Sequence, residues 1–159
     1  MMRGVVWLRR DLRLQDQPAL TAACADCDDV IPLFVFDDPL LRARQFGSPC
    51  VTFMISSLDE LGGALAARGL ALQWRRGDQI DEVLRFVTDV KADAVYWNRD
   101  YEPAAIQRDR KVQQALMTRG VVVHTFKDHV VFEAEEIRGS TGDPLQRYSA
   151  YRARWWTKW

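Results

Sequence analysis

Residues 4–36 read GVVWLRRDLRLQDQPALTAACADCDDVIPLFVF, and this stretch decides the fold. It begins with a strand-like apolar run at 4–8, continues through a helix-like stretch at 17–25, and ends in a near-continuous apolar run at 30–36. An apolar run without alternation is typical of a strand that is covered on both faces of a parallel sheet. The stretch therefore predicts a strand–helix–strand unit with parallel strands.

The chain repeats this alternation up to residue 126. The same periodicities predict helices at 49–68, 79–90 and 103–119, and strands at 70–74, 94–97 and 121–126. Strands that alternate with helices in this way indicate an α/β fold. Because crossover connections are right-handed, we expect a doubly wound, Rossmann-like parallel sheet of five strands in the order 3-2-1-4-5, with helices on both faces.

Two of the predicted helices have recognisable end signals. For the helix at 49–68, Ser48 is a suitable N-cap, Pro49 stands at the first helical position, and Gly69 follows the last turn. The apolar stripe that we expect to face the core comprises Val51, Met54, Ile55, Leu58, Leu61 and Leu65. For the first helix, Asp16 is the expected N-cap.

The composition of the 159 residues is that of an ordinary soluble domain, and the net charge of zero gives no argument for binding nucleic acid or an anionic membrane. The chain has no apolar stretch long enough to cross a bilayer and no signal-peptide-like start, so we expect a cytoplasmic protein. Cys24 and Cys27 form a CxxC late in the first predicted helix. That position favours packing over redox chemistry or a metal site.

Charged residues follow the first and fourth predicted strands. The expected strand order reverses between these two strands, and open α/β sheets bind ligands at that point, outside the strand carboxyl ends. The two loops that meet there are WLRRDLR (7–13) and NRDYEP (98–103). The chain has neither a GxGxxG after its first strand nor a GxxxxGK[ST], so we do not expect it to bind a dinucleotide pyrophosphate or a P-loop triphosphate.

The strand ends offer a mixed set of charged and amide side chains: Arg9, Arg10, Asp37, Asp38, Asn98, Arg99, Asp100 and Glu102. Such donors and acceptors can hydrogen-bond the edge of a heterocycle, or they can pair with one another and hold loops together. Both interpretations stay open from the residues alone. No nucleophile–base arrangement can be placed, so we assign no catalytic residue and no metal ligand.

Residues 127–159 have a different character. They are polar and turn-rich, and they end in YRARWWTKW (151–159). Basic side chains among aromatic ones can bind single-stranded nucleic acid. We favour the alternative, a docking tail whose aromatic side chains pack on the same domain, on a second copy or on another domain.

The stretch VVWLRRDLRLQDQPAL (5–20) resembles the opening motif of the DNA photolyase/cryptochrome family, whose usual form is close to VWFRRDLRLxDNxAL. The resemblance continues in LFVFDDPLL (33–41), FMISSLDELGGAL (53–65), LQWRRGD (72–78) and YWNRDYEPAAIQRDRKVQQAL (96–116). The tail PLQRYSAYRARWWTKW (144–159) is similar to a diverged form of the family's PYxVFTPFxxxW. The resemblance therefore covers essentially the whole chain.

The resemblance implies the light-harvesting, cofactor-binding domain of a DNA photolyase (deoxyribodipyrimidine photo-lyase), a lyase of light-driven DNA repair. Residues 1–126 would form the α/β domain, and 127–159 a linker and tail leading toward a helical FAD domain that these residues do not supply. We therefore expect the isolated chain to be inactive, to contact damaged DNA only through that domain, and to self-associate through its tail. The alternatives are a cryptochrome-type blue-light photoreceptor fragment and a stand-alone flavin- or nucleotide-binding domain without photochemistry.

The resemblance also implies an antenna chromophore at the strand carboxyl ends. Folate-binding members use polar residues just after the glutamate, where this chain has Ala104 and Ala105, so a deazaflavin or FMN is favoured over methenyltetrahydrofolate. The expected cofactor-binding residues are Arg10, Asp37, Asp38, Cys50, Asn98, Asp100 and Glu102. Cys50 stands where the family usually has an arginine, and Gln17 replaces the usual asparagine.

Overall fold

The structure, a computed structural model, describes residues 1–38, 41 and 48–159. The strands are β1 Arg3–Leu8, β2 Asp29–Asp37, β3 Gln73–Gly77, β4 Ala94–Asn98 and β5 Val122–Phe126. The helices are α1 Pro18–Asp26, α2 Pro49–Ala66, α3 Gln79–Asp89, α4 Pro103–Thr118 and α5 Tyr148–Lys158, with a short 3-10 helix at Ala134–Glu136. The chain divides into two compact units, Met1–Phe126 and Lys127–Trp159.

The five strands form one sheet in the order β3-β2-β1-β4-β5. Every neighbouring pair is parallel, and the central strand β1 places Val5 beside Ile31 of β2 and beside Val95 of β4. The predicted fold class and strand order are therefore confirmed. The strands before β4 are added on one side of β1, whereas β4 and β5 lie on the other side, so the strand order reverses between β1 and β4 as the switch-point argument requires.

Successive residues of β1 point to opposite faces of the sheet, so each face acquires its own core. Val5 and Trp7 pack with residues of α3 and α4 on one face, whereas Val6 and Leu8 pack with residues of α1 and α2 on the other. Trp7 meets Trp97 of β4 edge to face, with 5.6 Å between ring centroids. Because helices cover both faces of the sheet, its inner strands are expected to be almost continuously apolar.

Helix α2 has the predicted N-cap, because the Ser48 hydroxyl accepts a hydrogen bond from the Val51 amide at 3.4 Å. Its core-facing residues are Val51, Leu58, Leu61 and Leu65. The predicted stripe was wrong at two positions, since Ile55 is exposed and Met54 faces a cavity. A crossover helix begins at the carboxyl edge of the sheet, so its first turns can extend past the packed core.

Two local predictions were wrong. Strand β3 spans Gln73–Gly77 instead of 70–74. It lies at the edge of the sheet and accepts charged residues there, and the Arg75 guanidinium lies over the Phe86 ring, 4.7 Å from the ring centroid. Helix α1 begins after Gln17, not after an Asp16 cap. Asp16 adopts a φ of 50°, and a side chain from β4 caps the helix instead.

The second unit contains the 3-10 helix and α5, which was not predicted. Within it, Trp155 packs edge to face against Phe132 at 5.5 Å and stacks on Trp159 at 5.3 Å. Glu136 pairs with Lys127 at 2.8 Å and lies 3.6 Å from Lys158. Across the described ranges of the chain, the structure contains no helix long and apolar enough to span a membrane.

Candidate ligand-binding site

A cavity of about 740 Å³ opens at the carboxyl ends of the strands in the first unit. Strand β2 contributes Phe34, Val35, Phe36 and Asp37, and the first turns of α2 contribute Cys50, Phe53, Met54 and Ser57. The loops after β1 and β4 contribute Arg9, Arg10, Asp11, Asp100 and Glu102. Small-molecule sites have this size and this combination of apolar surface with a few polar groups.

The structure brings most of the predicted site residues together. Arg10, Asp37, Cys50, Asp100 and Glu102 all line the cavity. Asp38 and Asn98 are not among its lining residues in the described part of the chain. Asp38 instead receives a hydrogen bond from Arg76 at 2.6 Å. The cofactor-binding role of all seven residues remains a prediction.

Arg10 joins the loops after β1 and β4 at the edge of the cavity. Its guanidinium donates two hydrogen bonds to the Glu102 carboxylate, at 2.8 and 2.7 Å, and lies 3.6 Å from Asp100. The hydrogen bond to Glu102 raises the pKa of Arg10. Burial opposes the charged form of Asp100, but the Glu102 backbone N–H and the Arg10 charge outweigh it and lower the pKa of Asp100. Both carboxylate and guanidinium are therefore charged at neutral pH.

Arg9, the preceding residue of the same loop, makes a separate set of contacts. It donates to both carboxylate oxygens of Asp109 at 2.7 Å and to the backbone carbonyl of Asn98. Arg108 also donates to Asp109, at 2.7 Å, and both guanidinium groups lie over the Trp7 ring, 4.8 and 5.1 Å from its centroid. Burial lowers the pKa of Arg9, and Asp109 counteracts that effect. Arg9 therefore ties the β1 loop to α4.

Asn98 lies at the centre of a buried polar network. Its Nδ2 donates to Asp11 Oδ2 at 2.7 Å and to Gln17 Oε1, and its Oδ1 accepts from the Ala19 amide at 3.2 Å. Gln17 Nε2 in turn donates to Asp11 Oδ2 at 2.8 Å. Asp11, Gln17 and Asn98 are all buried. The polar atoms of the Asn98 side chain are thus engaged in connecting β4 to the β1 loop and to α1.

Sequence reasoning missed Asp109 and, apart from Cys50, the residues of α2 that line the cavity. Asp109 did not stand out, because the residue it pairs with lies 100 positions earlier. The cavity-facing stripe of α2 comprises Cys50, Phe53, Met54 and Ser57, spaced i, i+3, i+4 and i+7. That spacing was readable in the sequence, but the core stripe of the same helix masked it.

The CxxC cysteines lie away from the cavity. Cys24 is exposed, and Cys27 packs with its Sγ 3.4 Å from the Tyr96 hydroxyl. Partial burial, together with the nearby Cys27, raises the pKa of the Cys24 thiol. A raised pKa leaves little of the reactive thiolate at neutral pH. In the described ranges, no cluster of side chains is suited to hold a metal ion.

A family model described as DNA photolyase matches residues 4–158. The chain belongs to the DNA photolyase/cryptochrome family. Deoxyribodipyrimidine photo-lyase of Synechococcus sp. is 33% identical over 94% of this chain and 31% of the relative. Cryptochrome-1 of Arabidopsis thaliana is 30% identical over 95% of this chain and 22% of the relative. This chain therefore spans about a third or less of these relatives, and it corresponds to the N-terminal domain of the family.

Solved structures of photolyases share the fold. A bacterial class III photolyase from Agrobacterium tumefaciens superposes with a TM-score of 0.81 at 29% identity, over 96% of this chain and 31% of the other. An archaeal photolyase from Sulfolobus tokodaii, described with two FAD molecules and an implied novel light-harvesting cofactor, superposes with a TM-score of 0.75 at 30% identity over 96% of this chain and 34% of the other. The family resemblance predicted from the sequence motifs is confirmed.

Proposed function

We propose that this chain is the antenna domain of a photolyase-type protein and that it binds a light-absorbing fused heterocycle in the cavity at the strand carboxyl ends. The observation that carries the proposal is the composition of that cavity. Apolar surface from β2 and α2 meets a charged edge formed by Arg10, Asp100 and Glu102. A fused heterocycle has the matching combination of apolar faces and a polar rim.

The residues present fit such a chromophore. Arg10 is half-exposed and can redirect a donor from Glu102 to a ring carbonyl, while Asp37, Asp100 and Glu102 can accept from ring or ribityl donors. Phe34 and Phe36 supply apolar contact. When bound, the chromophore would absorb near-ultraviolet or blue light and pass the excitation energy to a FAD in a partner domain.

The chromophore that we propose is a deazaflavin or a flavin such as FMN. Ala104 and Ala105 both line the cavity, and neither side chain can hydrogen-bond a folate. The Sulfolobus relative is described with two FAD molecules, which supports a flavin. Cys50 lines the cavity at a position where a cation would strengthen the binding of a phosphate, so we expect its uncharged side chain to lower the affinity for FMN. A flavin without a pyrophosphate fits the glycine-free β1 loop better than FAD does.

We further propose that α5 docks on a helical FAD domain, through which damaged DNA would be contacted. Tyr148 and Trp156 on this helix and Trp159 directly after it are exposed, and Arg152 and Arg154 lie among them in the sequence. So large an aromatic surface on one short helix is typical of an interaction site. The photolyase relatives are about three times as long as this chain, which provides for such a domain.

The test is titration of the purified protein with riboflavin, FMN, FAD, a deazaflavin and methenyltetrahydrofolate, followed by ligand fluorescence and absorbance. We expect FMN or the deazaflavin to bind, and Arg10→Ala and Asp100→Ala each to weaken binding about ten- to a hundredfold, because each removes one charge-assisted hydrogen bond. Arg85→Ala is the matched control, since Arg85 pairs with Glu82 on an exposed surface of α3. Folate binding in preference to flavins would contradict the proposal.

A cryptochrome-type photoreceptor is the second candidate, because cryptochrome-1 is similar over almost the whole chain. Antenna binding by this domain is compatible with either protein. Joining the chain to its helical partner and measuring light-dependent reversal of pyrimidine dimers separates the two. Repair supports the photolyase assignment, and loss of repair with retained chromophore binding supports the photoreceptor.

A further inference from the structure

We infer that Phe53 is a specificity-determining residue whose phenyl ring stacks on the fused ring of the ligand in the cavity. The inference rests on the proposed function, because it takes the ligand to be a fused heterocycle. It goes further by naming the residue that distinguishes a fused ring from a smaller planar ring with a similar polar edge.

The first support is the contrast between the exposure of Phe53 and its position. Phe53 lines the cavity, yet the residue is 75% exposed. Val51 and Leu58 of the same helix are buried in the core. The Phe53 ring therefore leaves most of its apolar surface in contact with water beside a cavity of ligand size.

The second support is that Phe53 belongs to a face of α2 that is separate from the core-facing one. Cys50, Met54 and Ser57 line the same cavity at helical spacing. Ser57 directs its hydroxyl to the Phe53 backbone carbonyl at 2.8 Å, so its hydrogen bond is made within the helix. Phe53 is thus the aromatic residue in the stripe that α2 presents to the cavity.

Single exposed apolar residues are common on protein surfaces, so the exposure of Phe53 alone does not indicate a ligand contact. Another exposed apolar residue of α2 provides the comparison. Ile55 is also exposed, at 45%, but it is not among the described residues that line the cavity. Covering the Phe53 ring with a flat ligand removes apolar area from both partners. Stacking between an aromatic side chain and a heterocyclic base changes affinity by roughly five- to a hundredfold.

The experiment compares Phe53→Leu, Phe53→Trp and the control Ile55→Ala, each titrated with FMN and with nicotinamide mononucleotide. We expect Phe53→Leu to weaken FMN binding roughly five- to a hundredfold. It should leave the weaker nicotinamide mononucleotide binding nearly unchanged, and Phe53→Trp should restore FMN affinity. An indole ring that stacks on a flavin quenches its fluorescence by electron transfer, which a phenyl or isobutyl group does not do, so the bound FMN should become dimmer in Phe53→Trp than in the wild type. A merely structural role would not produce that change.

Three outcomes would overturn the inference, and the third is distinguishable from the first two. If the wild type binds FMN and Phe53→Leu binds it equally well, or if Ile55→Ala weakens binding to the same extent, Phe53 does not stack on the ligand. If the wild type binds none of the flavin probes, the proposed function fails and the inference falls with it. Circular dichroism of each variant confirms that the fold is retained.

Discussion

The adjacent residues Arg9 and Arg10 both line the cavity, but their guanidinium groups lie in different surroundings. The Arg9 side chain is 7% exposed and is held between Asp109 and the Trp7 ring, whereas the Arg10 side chain is 54% exposed and pairs with carboxylates at the cavity edge. One loop therefore serves two purposes. The buried arginine fixes the loop on the fold, and the exposed one remains able to exchange partners with a ligand.

The difference has an energetic basis. Removing one partner of a buried ion pair costs about 3–5 kcal/mol, because the remaining charge is left without compensation. An exposed pair contributes roughly 0–1 kcal/mol, since water replaces the lost partner. We therefore expect stability to depend mainly on the buried Arg9 pair, and ligand binding on the exposed Arg10.

The largest effect should follow from Asp109→Ala. This change leaves the buried Arg9 guanidinium without its carboxylate, and we expect the free energy of unfolding to fall by about 3–5 kcal/mol in urea denaturation. Asp38→Ala is the control, because its partner Arg76 is more than half exposed, and it should cost at most about 1 kcal/mol. Equal losses in the two variants would remove the distinction between the regions.

Asn98→Ala tests whether the buried hydrogen-bond network of Asn98, Asp11 and Gln17 stabilises the fold as the Arg9–Asp109 pair does. The change leaves the buried polar groups of Asp11 and Gln17 without their amide partner, and each such group costs about 1–3 kcal/mol. We expect urea denaturation to show this loss. If Asn98 instead binds a ligand directly, Asn98→Ala will reduce FMN affinity while leaving the urea midpoint in place.

Arg10→Ala should reduce ligand affinity strongly and stability only slightly. Because Arg10 is half-exposed and its hydrogen-bonded partner Glu102 is exposed, we expect the free energy of unfolding to change by at most about 1 kcal/mol. Flavin affinity should nevertheless fall by about tenfold or more. Measuring the free energy of unfolding and the flavin affinity on one preparation distinguishes the role of Arg10 from that of Arg9. A large loss of stability would mean that Arg10 holds the loop as Arg9 does.

The smallest effect concerns pH. The lowered pKa of Asp100 means that its contribution to stability is fully present above its unfolded pKa of about 3.9 and is lost as pH falls through the folded value. Wild type should therefore be more stable than Asp100→Asn at pH 7, and the gap should close at acidic pH. Thermal unfolding across this range measures the gap. A gap of constant size would mean that the Asp100 charge contributes nothing.

The sequence predicted the sheet, its order and the place of the cavity, because those follow from apolar periodicity and from crossover handedness. It also placed Arg10 and Glu102 among the polar residues at that edge of the sheet, but it could not decide whether these residues pair with one another or bind a ligand. It could not identify Asp109 as the partner of Arg9, because that contact depends on how α4 packs after folding. The exposure of Phe53 was missed for a related reason: periodicity does not show which turns of a helix extend beyond the core.

The Asn98 side chain that caps α1 has a consequence for the folding pathway. The acceptor for the Ala19 amide is 79 residues away along the chain, so the first helix lacks this cap until β4 has joined the sheet. Closing so long a loop is entropically costly and slow compared with local helix formation. A fragment that ends before β4 should therefore hold α1 only transiently. During synthesis, the β1–α1–β2 segment should become protected from hydrogen exchange only after residue 98 has left the ribosome.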